Sequence, residues 1–200
     1  MENMNNVHVS GNVLAEKVLN SKSQLQVGIE KDGNIIPVTA IVKNAQWEKF
    51  KKDYPEQYNA VTISGQLQIL RDGYVIQAGS ITCFHNILQD ELNESGCQFH
   101  GRVRLKKKFD FDTKTNLFLK RLILETDSAQ PVRIEAMALR GAASSFEEIE
   151  EGQDLYVKAN LVMDRQGHPP YWRIDHQPEC CWQKENPCLH GSSFFYYLNK

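Results

Sequence analysis

The stretch that decides the fold is VTISGQL at residues 61–67. Its apolar residues and its glycine occupy every second position, and this two-residue period predicts a strand with one buried face. Asp72 and Gly73 follow shortly afterwards and form a hairpin signal, because glycine readily adopts a positive φ. A partner strand is therefore expected over residues 74–81.

Three more strands and a helix precede this hairpin. Alternating patterns predict strands over residues 7–13, 24–30 and 35–42. Trp47 and Phe50 then lie at helical spacing, which predicts a short helix whose aromatic side chains close one end of the core. Three strands, a helix and two strands is the element order of the OB-fold, a five-stranded Greek-key barrel.

The same pattern recurs about 90 residues further along the chain, as in an internal repeat. Residues 99–103 correspond to residues 9–13, with Gly101 in the place of Gly11. Residues 155–161 correspond to VTISGQL. The predicted fold class is therefore all-β, with two tandem five-stranded OB-fold barrels, each with a short helix between its third and fourth strands. The predicted boundaries are residues 1–85 for the first barrel, 86–96 for a linker, 97–176 for the second barrel and 177–200 for a C-terminal tail.

Composition narrows the class of protein. The 200 residues are 41% hydrophobic and 24% charged, and 23 Lys and Arg against 25 Asp and Glu give a net charge of −2. This balance excludes a globally basic coat protein but not a local basic face. The apolar runs are too short to span a membrane, no signal peptide is recognisable, and five scattered cysteines do not suggest a disulfide framework. A cytoplasmic protein without a membrane partner is expected.

The densest run of positive charge lies over residues 102–121, and Phe109 and Phe111 stand among its cations. In an OB-fold this hairpin borders the face that binds oligonucleotides, where cations neutralise phosphates and rings stack on bases. The alternative is a solvated, lysine-rich strand edge that prevents edge-to-edge pairing. The contacts predicted here are Arg102, Arg104, Lys106, Lys107, Lys108, Phe109, Phe111, Lys114 and Lys120.

The hairpin between the last two strands of the second unit borders the same predicted face. It supplies Arg165, Tyr171, Trp172 and Arg173 as candidate contacts, although alternation places Trp172 on the same face as Ile174 and allows it to be buried instead. The first unit offers a thinner set at the matching places, namely Lys43, Arg71 and Tyr74.

Residues 132–141, with the sequence VRIEAMALRG, are followed by a helix ending at Gly152 and by the strand at 155–161. This succession resembles the bacterial single-stranded-DNA-binding protein (SSB) family, and VTISGQL is similar to that family's V-x-V-x-G-x-L strand. The resemblance implies tandem SSB-like OB-folds that bind single-stranded DNA, with RNA possible, without strong base specificity. Arg140 and Lys43 stand where the family has a strand-ending aromatic residue, and Arg140 joins the predicted contacts.

Metal binding and catalysis have weaker signals. Cys180, Cys181, Cys188 and His190 are candidate zinc ligands, but their spacing lacks the usual C-x₂₋₄-C pair, and the alternative is a tail with buried thiols. The sequence has no phosphate-binding loop, no H-E-x-x-H and no nucleophile elbow. A nuclease built on an OB-fold would need a carboxylate–arginine metal site, which is not recognisable. No enzymatic activity and no cofactor are therefore expected.

Two functional hypotheses remain open at this point. The first is a module that holds single-stranded DNA. The second is an SSB-like adaptor or assembly subunit of a nucleoprotein complex, acting through protein partners or self-association, with residues 194–198 (FFYYL) docking in a partner's groove. Only the first requires an affinity for oligonucleotides that falls steeply with salt.

Overall fold

The computed structural model describes residues 5–31, 33–56, 59–70, 73–84, 95–110, 119–163 and 170–180. The first half contains β1 (Asn5–Val18), β2 (Lys22–Lys31), β3 (Asn34–Lys43), α1 (Asn44–Asp53), β4 (Ala60–Leu70) and β5 (Gly73–Cys83). The second half contains β6 (Gly96–Asp110), β7 (Leu119–Thr126), β8 (Arg133–Leu139), α2 (Gly141–Glu148), β9 (Asp154–Val162), β10 (Tyr171–Ile174) and β11 (Glu179–Cys180). The chain is mostly β, and a helix follows the third strand of each half, as the sequence predicts.

The five strands of each half pair in a ring. In the first half β1 pairs antiparallel with β2 and β4, β2 with β3, and β4 with β5, while β3 runs parallel to β5. The second half repeats this scheme, with β6 next to β7 and β9, β7 next to β8, β9 next to β10, and β8 parallel to β10. Alternate side chains of every strand therefore point into the middle of a ring.

The two rings join through their first strands. Residues 5–10 of β1 pair antiparallel with residues 96–101 of β6, with Val7 opposite Phe99. This pairing is called the seam below. Because β1 also pairs with β4 and β6 also pairs with β9, the order β4–β1–β6–β9 forms one antiparallel sheet across the seam.

Two β-bulges mark equivalent positions in the halves. Leu14 is the extra residue of β1, and Lys106, 92 residues further along, is the extra residue of β6. Gly11 therefore corresponds to Val103, and its apparent match with Gly101 is a coincidence of spacing. The bulge also matters for function, because every side chain beyond it moves to the opposite face of its strand.

The helices lie at the ends of the two cores. Trp47 and Phe50 of α1 are 1% and 3% exposed and stack with ring centroids 5.4 Å apart. Phe146 of α2 is fully buried in the second half. The prediction that the helical aromatics belong to the core is confirmed.

The second ring continues beyond residue 176, where the repeat ends on sequence grounds. β11 pairs with β9, with Cys180 opposite Leu155. The end of β5 completes the first ring in the same manner, with Cys83 opposite Val61. Among the described residues, neither helix has the length and hydrophobicity needed to cross a membrane.

Candidate nucleic-acid interface

The bulge at Lys106 decides which residues of the predicted basic run face outward. Before it, Arg102 and Arg104 point to the outer face of the sheet across the seam, next to β9. After it, Lys107 and Phe109 lie opposite Ile123 and Arg121 of β7, on the outward face of the second ring. Simple alternation along β6 would instead place Lys106 and Lys108 on the outward face of Arg104.

Arg102 and Arg104 converge on one carboxylate, that of Asp154 at the start of β9. Arg104 donates from Nε and Nη2 to its two oxygens at 2.8 and 3.1 Å, and Arg102 Nη2 donates at 3.0 Å. These bonds, led by that from Arg104, hold the pKa of Asp154 below its usual range. Arg102 also pairs with Asp127 at 3.3 Å. Both arginines are thus engaged in tying β6 to its neighbours.

Lys108 has a structural partner of a different kind. Its ammonium donates to the carbonyl oxygens of Phe146, Glu147 and Ile149 at 3.1, 3.0 and 2.8 Å. These carbonyls belong to the C-terminal end of α2, where backbone acceptors lack helical partners and positive charge is favourable. All three donors of this lysine are therefore used within the fold.

Lys106 and Lys120 are also paired. Lys106 lies 3.4 Å from Glu125. Lys120 is 9% exposed, and its ammonium donates to Asp110 at 2.6 Å and lies 3.6 Å from Glu147. In contrast, Lys107 is exposed and makes no ion pair or side-chain hydrogen bond within the described part of the chain.

One row of side chains crosses four adjacent strands on the outward face of the second ring. Phe109 of β6 lies opposite Arg121 of β7, which lies opposite Met137 of β8, which lies opposite Arg173 of β10. Phe109 is 46% exposed. Lys107 and Tyr171 occupy the adjacent row. We call this set the cation–aromatic face: Lys107, Phe109, Arg121, Met137, Tyr171 and Arg173.

Carboxylates hold the arginines of this face in place. Arg121 donates to Glu135 Oε2 at 2.7 Å, Arg133 donates to Glu135 Oε1 at 3.2 Å, and Arg173 donates to Asp175 at 2.9 Å. The Arg121 bond, more than any other contact, keeps the pKa of Glu135 below its usual range. The carboxylates of these pairs are more exposed than Asp154, at 46% for Glu135 and 29% for Asp175 against 7%, so these ion pairs are weaker than those of Arg102 and Arg104. Arg121, Arg133 and Glu135 were not among the predicted contacts, although alternation in LKRLILET places Arg121 outward.

The equivalent face of the first ring has different chemistry. The bulges and strand registers identify the equivalent residues. In the order of Phe109, Arg121, Met137 and Arg173, they are Lys17, Gln24, Ile41 and Gln77. Neutral amides thus replace both arginines, and no ring replaces the phenylalanine. The two halves share their topology but not their surface.

Tyr74, Tyr171 and Trp172 come together where the halves meet. They line a groove of about 590 Å³ beside the seam, together with equivalent positions of both rings such as Leu67 and Leu161. Trp172 is 4% exposed and packs edge-on against Phe99, with centroids 6.1 Å apart, so its indole belongs mainly to the core. Tyr74 is 42% exposed, and its hydroxyl donates to the backbone oxygen of Arg133 at 2.5 Å.

The remaining predicted contacts lie elsewhere. Lys43 and Arg140 are exposed and occupy matching places, directly before α1 and α2, and Arg140 has a φ of 52°. Arg71, Phe111, Lys114 and Arg165 lie outside the described residues, as do Cys181, Cys188 and His190, and the side chain of Cys180 is not described either. The described residues include no cluster of His, Cys, Asp or Glu suited to a metal ion, so the zinc hypothesis stays a prediction.

Comparison with known proteins identifies the fold. The wild-type single-stranded DNA binding protein from Thermus aquaticus matches with a TM-score of 0.60 at 17% identity, over 94% of this chain and 97% of that chain. A deletion and substitution variant of the same protein matches with a TM-score of 0.61 at 16% identity, over 93% of this chain and 98% of that chain. No protein-family model matches the chain, and no curated protein matches it by sequence. At these identities the likeness shows the fold alone, which is SSB-like and of the OB type.

Proposed function

We propose that this chain binds single-stranded DNA on the cation–aromatic face of its second ring. The observation that carries the proposal is the row Phe109, Arg121, Met137 and Arg173, which crosses four neighbouring strands. A single strand exposes phosphates and unpaired bases together, so its binding surface needs cations beside apolar and aromatic side chains. The shared fold with an SSB supports this proposal.

The chemistry divides between two kinds of side chain. Lys107, Arg121 and Arg173 contact phosphates, and each contact releases a counterion. Phe109 and Tyr171 stack on bases, which is worth ~1–3 kcal/mol per base and tolerates any sequence. Arg102, Arg104, Lys108 and Lys120 act instead through their bonds within the fold. None of these roles requires a reaction, so the proposal is a binding protein rather than an enzyme.

We further propose that the chain consists of two OB-fold barrels with unequal tasks. The two rings of strand pairings support one barrel before and one after the segment at 86–96, with the second extending to Cys180. Amides occupy the arginine positions of the first barrel, so this barrel holds the second in place and binds DNA weakly at most. A cytoplasmic location agrees with the free thiol of Cys97, which is buried. Burial raises the pKa of this thiol to about 12.

The test replaces the arginines of the second barrel by the residues of the first. The double variant Arg121→Gln/Arg173→Gln removes two proposed phosphate contacts, and its control, Lys49→Gln/Lys52→Gln, removes two exposed cations of α1. Quenching of tryptophan fluorescence by oligo-dT is measured at several salt concentrations. We expect the slope of log K against log salt to fall by ~1.4 in the first variant, at 0.7 per phosphate, and to be unchanged in the control.

Two outcomes would overturn the proposal. An unchanged affinity and slope in the arginine variant would remove the cation–aromatic face as the binding surface. Absence of oligonucleotide binding by the unmodified chain would favour the adaptor hypothesis, in which protein partners or self-association carry the function. Oligo-rU in parallel decides between DNA and RNA.

A further inference from the structure

The groove beside the seam adjoins the cation–aromatic face. Tyr171 belongs to both, and Glu135, which holds Arg121 of the face, also lines the groove. Its volume of about 590 Å³ and its position between two packed units are typical of sites that enclose part of a small ligand. A strand bound along the face would therefore pass Tyr171 and Glu135 at the edge of the groove.

The groove has aromatic walls, one of which is anchored by a hydrogen bond. The Tyr74 hydroxyl is anchored on the backbone of β8 by its bond to Arg133, so this ring of the first half reaches across to the second. Tyr171 is half-buried, and Trp172, which is almost fully buried, supplies the floor. Flat apolar walls of this kind suit the faces of a nucleobase.

Glu135 is the one carboxylate among the described residues that line this groove. An ionised carboxylate accepts hydrogen bonds and donates none, and its two oxygens have about four acceptor sites in all. Arg121 and Arg133 occupy one site on each oxygen. The side chain is 46% exposed, so acceptor capacity remains for a ligand.

We propose that the groove takes one base of the bound strand and favours bases with an exocyclic amine, with Glu135 as the acceptor. The N4 amine of cytosine is such a donor. Uracil and thymine have a carbonyl oxygen at the same position, and their N3–H donor lies between two carbonyl oxygens that repel a carboxylate. This inference rests on the proposed function and adds a base preference to it.

The experiment compares oligo-dC with oligo-dU of equal length at pH 8, where cytosine is unprotonated. The unmodified chain should bind oligo-dC on the order of fivefold more tightly, as expected for one discriminating contact. Glu135→Gln keeps the size of the side chain but can donate as well as accept, so the ratio of the two affinities should fall close to one. The control is Glu125→Gln, which removes another carboxylate of β7–β8 that pairs with a lysine outside the groove, and it should keep the ratio.

The ratio, and not the affinity, is the diagnostic readout. Glu135→Gln also frees Arg121 and Arg133, which raises the affinity for both oligonucleotides alike. Equal affinities in the unmodified chain, or a preserved ratio in Glu135→Gln, would overturn the base preference while leaving the proposed function intact. Failure to bind either oligonucleotide would overturn both.

Discussion

The three consecutive lysines Lys106, Lys107 and Lys108 have different environments. Replacing each one should therefore have a different effect on DNA binding and stability. Lys107 is the exposed cation of the cation–aromatic face, whereas the Lys108 ammonium binds three carbonyl oxygens at the end of α2. Lys106 forms a surface ion pair with Glu125 at 3.4 Å. Sequence alone treats them as one basic patch.

Lys107→Ala should weaken DNA binding without affecting stability. One lost phosphate contact lowers the slope of log K against log salt by ~0.7. At 0.1 M salt, ten times below the 1 M reference, this change corresponds to about a fivefold loss of affinity. Lys108→Ala should do the reverse. Loss of three charge-assisted bonds at a helix end costs ~2 kcal/mol, or about 4–8 °C in Tm for a chain of this size. Lys106→Ala should change stability by less than ~1 kcal/mol.

The assays are oligo-dT titrations at several salt concentrations and thermal unfolding of the same samples. Lys107→Ala and Lys108→Ala are controls for each other. The first should change the affinity for DNA but not the Tm, and the second should change the Tm but not the affinity. Equal losses of affinity in Lys107→Ala and Lys108→Ala, with unchanged Tm in both, would refute the reasoning. The three lysines would then form a single electrostatic patch, and the bulge would have no functional consequence.

Two further changes test the fold. Gly11→Ala should lower the free energy of unfolding by ~1–3 kcal/mol in denaturant titrations, because the new Cβ would collide with the carbonyl oxygen of Gly28. The control Gly141→Ala places its Cβ in open space and should be neutral. Equal effects of the two changes would contradict the close approach of β1 and β2. The pKa of His100 is lowered, first by burial and then by nearby positive charge, so its contribution to stability should be complete above its ordinary pKa of 6.5 and be lost as the pH falls below it. His100→Gln should flatten the pH dependence of Tm between pH 7.5 and 5.5, and an unchanged profile would argue against this assignment.

Much of the architecture was predictable from local patterns. VTISGQL became β4, the helix with Trp47 became α1, and both helices lie after a third strand. These features depend on which side chains face inward, and the period of apolar residues reports that directly. The burial of Trp172 also agrees with the alternation that pairs it with Ile174.

The candidate site was less predictable. Alternation along β6 assigns Lys106 and Lys108 to the face of Arg104, and the bulge cancels that assignment from Lys107 onward. Nothing in the residue types at 105–107 signals a bulge, because an extra polar residue at the surface is tolerated by its surroundings. Arg121 closes the basic run and faces outward by the same alternation, but it was not among the predicted contacts.

The sequence by itself determined both helices, most strands and the buried side of the strands up to their bulges, because these are properties of neighbouring residues. Only the tertiary structure decided which cations are available to a ligand, since their partners come from distant parts of the chain. Arg104 meets a carboxylate 50 residues away, and Lys108 meets carbonyls about 40 residues away. The seam and its groove likewise depend on packing between halves. Residue type records that a side chain is charged, but its surroundings in three dimensions decide whether that charge is already neutralised.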